Sequence, residues 1–326
     1  MGRLLTLLAT ALLCIAGTGL ASAAVVPMIH KSSPATISPP PAVAPPQSTS
    51  PQSTSQQSTP QQSTSPPSNP QLAADTAAAS SAADRAASPA RVQQAAQAVL
   101  PHAQVGFEVF DRTDDTVLTS QDADQQFASM SVVKLLIALD ALARNNWASP
   151  DDGMRQELHQ MLANSDDQIA SNLWTAGGGP AIVNRMASLL ALSGTRPPED
   201  PGEWGDTLIT PQDMVTVYRY ITDQLPRPDQ DLILGALADT PKIAADGFDQ
   251  YFGIPDGMPK SSWAVKQGWG TSGSQAVMNS TGVVGPDWRY VVVVLAAAPE
   301  NSYSALPAAV TAGAGALANL VGAAAS

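Results

Sequence analysis

Residues 33–71 restrict the fold of this chain more than any other feature, because they are rich in Pro, Gln, Ser and Thr. The triplet Gln-Ser-Thr recurs there with a five-residue period, and no aromatic residue occurs up to about residue 87. Such a segment cannot bury enough apolar surface to fold. We therefore predict a disordered Pro/Gln/Ser/Thr- and Ala-rich linker over residues 25–87. The folded domain is confined to residues 88–326, which are long enough to bury a substantial core.

Residues 1–24 have the pattern of a secretory signal peptide. Arg3 supplies a small positive region, residues 4–20 are mostly apolar and uncharged, and small residues at 21–23 suit a cleavage site. The pattern predicts a secreted or cell-envelope protein with no stable membrane insertion after cleavage. The only cysteine, Cys14, lies inside this segment, and Leu13 before it argues against a lipoprotein signal. A cleaved chain would lack cysteine, which excludes disulfides and thiolate catalysis.

The net charge of −12 argues against nucleic acid as a partner, because a strongly acidic domain repels phosphate. The sequence contains no His/Asp/Glu set with metal-ligand spacing and no phosphate-binding loop, so we predict neither a metal nor a cofactor. A Ser-His-Asp hydrolase is also disfavoured. The chain has three histidines, His30, His102 and His159, and no G-x-S-x-G motif surrounds any of its serines.

Apolar periodicity predicts an α+β fold for the remainder. Helical spacing covers residues 92–100, 131–144 and much of the chain as far as residue 237, and a closing helix is predicted over 305–323. Alternating patterns predict strands over residues 103–110, 116–120, 263–269, 275–284 and 288–297. This order suggests a helical region inserted into a five-stranded antiparallel sheet that has helices packed against it.

The segment Ser131-Val132-Val133-Lys134 places a hydroxyl and an amine three residues apart at the start of an apolar helix. Residues with this spacing share a helix face, so the amine can reach the hydroxyl. The helix N-terminus also favours negative charge there. An ordinary exposed lysine on a buried helix would give the same short pattern, so this motif is weak when taken alone.

Two further polar groups follow in order. Ser165-Asp166-Asp167 lies between two predicted helices, where Ser and Asp also serve as helix caps. Lys266-Gln267-Gly268 lies on a predicted strand, where a lysine commonly faces solvent. The order and context of the three groups are more specific than any one of them.

In type and order these groups resemble the S-x-x-K, S-D-N and K-T-G motifs of penicillin-binding proteins and serine β-lactamases. The resemblance covers roughly residues 90–323 and is nearest to secreted actinobacterial hydrolases related to class A β-lactamases. Further similar segments are Phe127-Ala128-Ser129-Met130, Trp174, Trp204-Gly205-Asp206-Thr207 with Thr210 and Asp213, Phe252-Gly253-Ile254-Pro255 and Val265-Lys266-Gln267-Gly268-Trp269.

The resemblance implies a β-lactamase/D,D-peptidase-like fold and an acyl-enzyme mechanism. Ser131 would attack a carbonyl of a β-lactam or a peptidoglycan-like amide or ester, and Lys134 would accept its proton. Ser165 would relay a proton to the leaving group, with Lys266 supplying positive charge. The oxyanion hole would consist of the backbone N–H groups of Ser131 and Trp269. Asp167, Gln267, Gly268 and Trp269 would then be substrate-binding residues.

The sequence departs from this pattern in several places. Asp167 replaces Asn, and an ionised carboxylate cannot donate to a substrate carbonyl. Gln267 replaces Thr or Ser, no Arg occurs in residues 275–284, and the short Ser131–Ser165 spacing implies a reduced helical subdomain. Glu203 is the candidate deacylation base, although no E-x-x-L-N pattern surrounds it.

These departures leave a second hypothesis open. The domain could be a degenerate, non-catalytic relative that binds a cell-wall peptide or a partner protein.

Overall fold

An antiparallel sheet of five strands, in the order β2-β1-β7-β6-β5, lies at the centre of the computed structural model, which describes residues 89–322. Two short strands, β3 and β4, pair separately. The strands are β1 Gln104–Asp111, β2 Thr116–Gln121, β3 Phe127–Ala128, β4 Leu208–Ile209, β5 Trp263–Ser272, β6 Gln275–Val284 and β7 Tyr290–Pro299. The five-stranded antiparallel sheet of the predicted α+β fold is confirmed. The predicted signal peptide and linker lie outside the described residues, and the domain boundaries stay predictions.

Helices pack on both faces of the sheet. They are α1 (residues 89–99), α2 Lys134–Arg144, α3 Asp152–Ala163, α4 Asp167–Ala176, α5 Ala181–Leu190, α6 Pro211–Asp223, α7 Arg227–Ala238, α8 Ile254–Gly257, α9 Leu306–Gly315 and α10 Ala318–Gly322. Helices α1 and α9 cover one face, where Val92, Phe107 and Val310 belong to the same buried cluster. Helices α2 to α7 form the larger core on the other face, where Leu139 and Tyr218 pack with Val293. Within the described residues, no helix has the length and apolar character needed to cross a membrane.

Three details differ from the sequence-based expectation. The predicted closing helix is two helices, because α9 ends at Gly315 and α10 begins at Ala318. Strand β7 starts at Tyr290 rather than Trp288, because Asp287 and Trp288 have left-handed backbone angles that no strand can accommodate. The β3–β4 pair was not predicted, since two-residue strands carry no periodic signal.

Helix α2 passes through the larger core with all but one of its residues buried. Its one buried carboxylate, Asp140, accepts hydrogen bonds from Arg144 Nε at 2.8 Å and from Arg185 Nε at 2.7 Å. Arg185 lies on α5 and also donates to the carbonyl of Gly177, so a charged network joins α2 to α5. Because the N-terminal end of α2 carries Lys134, this network helps to fix the helix that carries one end of the candidate site.

The carboxyl group of Glu108 is buried on β1, and burial raises its pKa. Within the described residues it has no hydrogen-bond or ion-pair partner. A raised pKa in the folded state means that stability is highest below the pKa of the unfolded chain. Stability then falls as pH rises through the folded-state pKa. We expect Glu108→Gln to raise the free energy of unfolding at pH 7 by about 1 kcal/mol, a usual scale for one substitution.

Urea unfolding of Glu108→Gln and the wild type between pH 4 and pH 8 tests this expectation. The difference should shrink toward the acid end, where the glutamic acid is protonated in both states. Glu157→Gln, at an exposed position on α3, serves as the control and should show no such trend. A Glu108→Gln variant less stable than the wild type at pH 8 would contradict the account.

Candidate active site

A short 3₁₀ turn, Met130–Val133, runs directly into α2 and carries Ser131. Strand β5 packs closely on this turn: a Cβ added at Gly268 would lie 2.6 Å from the carbonyl oxygen of Ser129. Asn279 of the neighbouring strand donates through Nδ2 to the carbonyls of Ala128 and Ser129 at 2.9 and 3.1 Å. The absence of a side chain at Gly268 therefore lets the sheet approach the serine turn.

Two residues at the site have left-handed backbone angles, which are uncommon for residues with a side chain. Met130, immediately before Ser131, has φ of 48°, and Ser165 has φ of 56°. Such conformations persist only where the surrounding structure enforces them, and they are concentrated at functional sites. Here they occur at Ser165 and at the residue that immediately precedes Ser131.

The amine of Lys134 lies at the centre of the site. Its Nζ is 2.5 Å from Ser131 Oγ and 2.6 Å from Asp167 Oδ1. It is also 3.1 Å from the carbonyl oxygen of Ser165 and 3.3 Å from Ser165 Oγ. The aromatic ring of Trp204 lies 4.6 Å away, and the lysine side chain is fully buried. The hydroxyl and amine predicted from their spacing are therefore in direct contact.

Ser165 connects the two lysines. Lys266 Nζ donates to Ser165 Oγ at 2.9 Å and to the carbonyl of Gln267 at 3.0 Å. Ser165 lies in the loop between α3 and α4, and Lys266 lies on β5. The structure therefore brings three separate parts of the chain together in the order Ser131, Lys134, Ser165, Lys266.

Burial lowers the pKa values of both lysines. The pKa of Lys134 is lowered by desolvation, which the charge and hydrogen bond of Asp167 oppose. The pKa of Lys266 is held well below its ordinary value by desolvation and, next, by the positive charge of Lys134. Lowered pKa values allow an amine to be neutral and to accept a proton nearer to physiological pH.

Asp167 stands at the first position of α4, with its carboxylate paired to Lys134 and its side chain 60% exposed. The preceding Asp166 caps the helix through bonds to the amides of Gln168 and Ile169. The two acidic residues therefore differ: Asp166 has the capping role that the sequence also allowed, and Asp167 faces the site.

Ser131 opens into a cavity of about 730 Å³. Strand β5 and the 246–248 loop form one wall, where Trp269 stacks on Phe248 with ring centroids 4.8 Å apart. The indole N–H of Trp269 donates to Asp246 Oδ2 at 2.9 Å. The lining residues are Met130, Ser131, Asp167, Ser171, Glu203, Trp204, Gly205, Asp246, Gly247, Phe248, Trp269, Gly270 and Tyr303.

Gln267 does not line this cavity, which corrects its expected role as a substrate-binding residue. Its side chain is fully buried, and Nε2 donates to the carbonyls of Gln250 and Phe252 at 3.2 and 2.5 Å. Gln250 in turn donates to the carbonyl of Ala163, close to Ser165. Gln267 therefore supports the 250–252 segment. Because successive side chains of a strand point to opposite faces, Gln267 points away from the face of β5 that carries Lys266.

Glu203 lies exposed at the rim of the cavity, just before Trp204, whose indole N–H donates to Ser171 Oγ at 3.2 Å. No hydrogen bond or ion pair holds the Glu203 carboxylate within the described residues. Its position at the cavity gives the carboxylate access to a bound substrate, and its role as the deacylation base stays a prediction.

Several cavity residues had no sequence motif to indicate them. Asp246, Phe248 and Tyr303 come from the 246–248 loop and from the segment before α9, far from the three motifs. A backbone bond from Ala245 N–H to the carbonyl of Asn164 ties the loop beside Ser165. The 246–248 loop packs against β5 and Tyr303 contacts Phe248, and these tertiary contacts bring the three residues to the site, so sequence spacing could not predict them.

No group of three or more His, Cys, Asp or Glu side chains among residues 89–322 is placed to hold a metal ion. The site itself offers a hydroxyl in contact with a buried amine, a second hydroxyl between two amines, and a cavity in front of them. Such an arrangement suits nucleophilic attack on a carbonyl with proton transfer through lysine and serine.

Solved structures with the same fold include β-lactamases and PBP-A. A β-lactamase from Desulfarculus baarsii matches with a TM-score of 0.59 and 18% identity, over 73% of this chain and 98% of that chain. A β-lactamase from Streptomyces albus G matches with a TM-score of 0.54 and 20% identity, over 71% and 99%. PBP-A matches with a TM-score of 0.55 and 18% identity, over 70% and 95%.

The sequence profile described as "Beta-lactamase enzyme family" matches residues 153–320. The proteins named "Putative lipoprotein LppW" from Mycobacterium tuberculosis and Mycobacterium bovis are 36% identical over 226 residues, which are 67% of this chain and 71% of theirs. The chain therefore belongs to the β-lactamase enzyme family.

Proposed function

We propose that this protein is an extracytoplasmic serine hydrolase that forms an acyl-enzyme on Ser131. Its acyl donors are β-lactams or related amides and esters of the peptidoglycan type. The observation that carries the proposal is the 2.5 Å contact between Lys134 Nζ and Ser131 Oγ inside a cavity. One solved structure with this fold, a PBP-A mutant, is described as an acyl-enzyme complex with penicillin G.

In the proposed reaction, neutral Lys134 accepts the proton of Ser131 as Oγ bonds to the substrate carbonyl carbon. The tetrahedral intermediate then collapses, the bond to the leaving group breaks, and Ser165 passes a proton to that group. Ser165 in turn recovers a proton from protonated Lys134, whose Nζ is 3.3 Å from Ser165 Oγ. Lys266, 2.9 Å from Ser165 Oγ, holds this hydroxyl in place and supplies positive charge when it is protonated. The backbone N–H groups of Ser131 and Trp269 are the proposed oxyanion donors, since fixed donors stabilise charge as it develops.

Substitution of the nucleophile tests the proposal. Wild type and Ser131→Ala are incubated with benzylpenicillin and, separately, with a neutral D-alanyl ester, and intact mass is followed over time. We expect the wild type to gain an acyl group that maps to Ser131, and Ser131→Ala to gain none. Ser171→Ala, at another serine of the same cavity, should keep the adduct. Undiminished labelling of Ser131→Ala would overturn the assignment.

The lifetime of the adduct separates two activities. Because the Glu203 carboxylate is exposed and has no hydrogen-bond or ion-pair partner among residues 89–322, we expect deacylation to be slow and the adduct to persist, as in a penicillin-binding protein. A transient adduct with consumption of the drug would instead indicate a β-lactamase. Saturable ligand binding that Ser131→Ala leaves intact, without any adduct, would support the alternative of a non-catalytic binding domain.

The carboxylate of Asp167 is expected to set the pH dependence of acylation. It stabilises the charged form of Lys134, so its removal should lower the pKa of this lysine further. A lower pKa leaves more neutral amine at a given pH. We therefore expect the ascending limb of the acylation rate for Asp167→Asn to move about one pH unit toward acid, which is the usual size of a nearby-charge effect.

The measurement is the rate of acyl-adduct formation between pH 5 and pH 10. Asp152→Asn, which removes an exposed carboxylate from the first turn of α3, is the matched control and should leave the profile in place. A shift of Asp167→Asn toward alkaline pH would contradict the proposed role of Lys134 as the proton acceptor.

A further inference from the structure

Among residues 89–322, the charged side chains that line the cavity are all acidic. Its charged wall residues are Asp167, Glu203 and Asp246. The two basic groups of the site lie beneath the surface, since Lys134 and Lys266 are at most 1% exposed. The cavity therefore has a net charge of −1 even with both lysines protonated, and it is more negative when either is neutral.

Aromatic rings form much of the remaining wall. Trp269 and Phe248 stack on one side, and Tyr303 meets Phe248 edge to face at 6.3 Å. On the other side Trp204 faces the amine of Lys134. Electron-rich ring faces attract cations, and the attraction increases where water is excluded. The acidic and the aromatic residues of the wall therefore both favour a cationic ligand.

Groups that would bind a substrate carboxylate are missing from the same wall. No arginine lines the cavity in the described part of the chain, and Gln267 is turned away from it. Asp246 instead accepts a hydrogen bond from the indole N–H of Trp269. A carboxylate therefore already lies beside the β5 residue whose backbone N–H is a proposed oxyanion donor. A second carboxylate brought by a ligand would meet repulsion there.

From these walls we infer that the cavity selects acyl donors that carry a cationic ammonium group, over neutral donors and over donors with a carboxylate. Of the donors in the proposed function, cationic amides and esters are then preferred, and a β-lactam with a carboxylate acylates Ser131 more slowly. The inference rests on the proposed function, because it names the substrate class of the same site. The ammonium group lies between Asp246 and Glu203, beside the aromatic wall to which Trp204, Phe248 and Tyr303 contribute. The scissile carbonyl lies over Ser131.

Three thioacetates with the same scissile bond test this preference. Acetylthiocholine carries a quaternary ammonium group, 3,3-dimethylbutyl thioacetate is its neutral isostere, and S-acetyl-3-mercaptopropionate carries a carboxylate. With each, the Ser131 Oγ–carbon bond forms and the carbon–sulfur bond breaks, and the serine proton leaves with the thiol through Lys134 and Ser165. The readouts are release of thiol and the mass of acetylated Ser131 in the full chain.

We expect the rate constant for acetylation to be about tenfold higher for the cationic donor than for its neutral isostere, and lower for the anionic donor than for either. Raising the ionic strength should reduce the cationic preference, since salt screens charge. Asp246→Asn and Glu203→Gln should each reduce the cationic-to-neutral ratio by about threefold. Glu157→Gln, which removes a charge outside the cavity, should leave that ratio unchanged.

The possible results separate the two proposals. If the neutral donor acetylates Ser131 and the cationic donor is no faster, the charge selectivity is wrong and the acyl-enzyme proposal stands. The same conclusion follows if the ratio is equal in Asp246→Asn, Glu203→Gln and the wild type. If none of the three donors acetylates Ser131 but benzylpenicillin labels it, the charge selectivity is wrong and the acyl-enzyme proposal stands. If benzylpenicillin also leaves Ser131 unmodified, both proposals fail.

Discussion

Replacing Lys134 with Met is expected to slow acylation of Ser131 by about a thousandfold, the usual scale of a lost general base. Lys134 Nζ is the amine within hydrogen-bond distance of Ser131 Oγ, and methionine has a similar length without a proton acceptor of comparable strength. The measurement is the second-order rate constant of acyl-adduct formation at pH 8, where the lowered pKa of Lys134 leaves more of the wild-type amine neutral and able to accept the serine proton.

The control for this variant must separate chemistry from folding. Lys134 is fully buried, so an apolar replacement removes a desolvated amine, while Asp167 stays exposed to water. We therefore expect the melting temperature of Lys134→Met to be no lower than that of the wild type. Lys242→Met, at an exposed lysine paired with Asp249, should keep the full rate. Acylation of Lys134→Met within a few-fold of wild type would contradict its role.

Replacing Arg185 with Met is expected to lower the free energy of unfolding by about 3 kcal/mol, because it leaves a buried charge with fewer partners. Asp140 is fully buried and would lose two of its three hydrogen bonds, from Arg185 Nε and from the same guanidinium at 2.9 Å. The Arg144 bond would remain. Chemical denaturation of the purified variants gives the change directly.

Coupling between the two residues distinguishes this account from simple loss of packing. In the Arg185→Met background, adding Asp140→Asn removes a buried charge that keeps only the Arg144 bond, and it should restore about 1 kcal/mol. Arg227→Met, which breaks an exposed pair with Asp231, should cost about 0.5 kcal/mol or less. If Asp140→Asn were as destabilising in the variant as in the wild type, the buried-charge explanation would be wrong.

Much of the fold was predictable because its elements are strongly patterned. Strand β6 has the predicted bounds. The helix predicted over residues 131–144 is a 3₁₀ turn, Met130–Val133, followed by α2, whose apolar spacing indicated it. The small β3–β4 pair and the break between α9 and α10 depend on tertiary contacts that leave no repeat in the sequence. Local pattern therefore identified the long elements and missed the short ones.

The site shows the same division. Ser131, Lys134, Ser165 and Lys266 were predicted from motif order, and the structure places them within one hydrogen-bonded set. Gln267 was predicted as a substrate-binding residue because the resemblance implied that role, but its buried side chain donates to backbone carbonyls away from the cavity.

The cavity wall made by the 246–248 loop and Tyr303 could not be foreseen, since its residues come from segments without catalytic motifs. The charge of the cavity depends on Asp246 as well as on Asp167 and Glu203, so it also required the fold.

The most direct test of the acyl-enzyme is a trapping experiment on the full chain. The protein is mixed with p-nitrophenyl acetate, quenched in acid at successive times, and digested for peptide mass mapping. We predict that one acetyl group appears on the peptide that contains Ser131, at a rate that rises with pH as Lys134 loses its proton. Acetylation confined to surface lysines, with the Ser131 peptide unmodified at every time, would contradict the account.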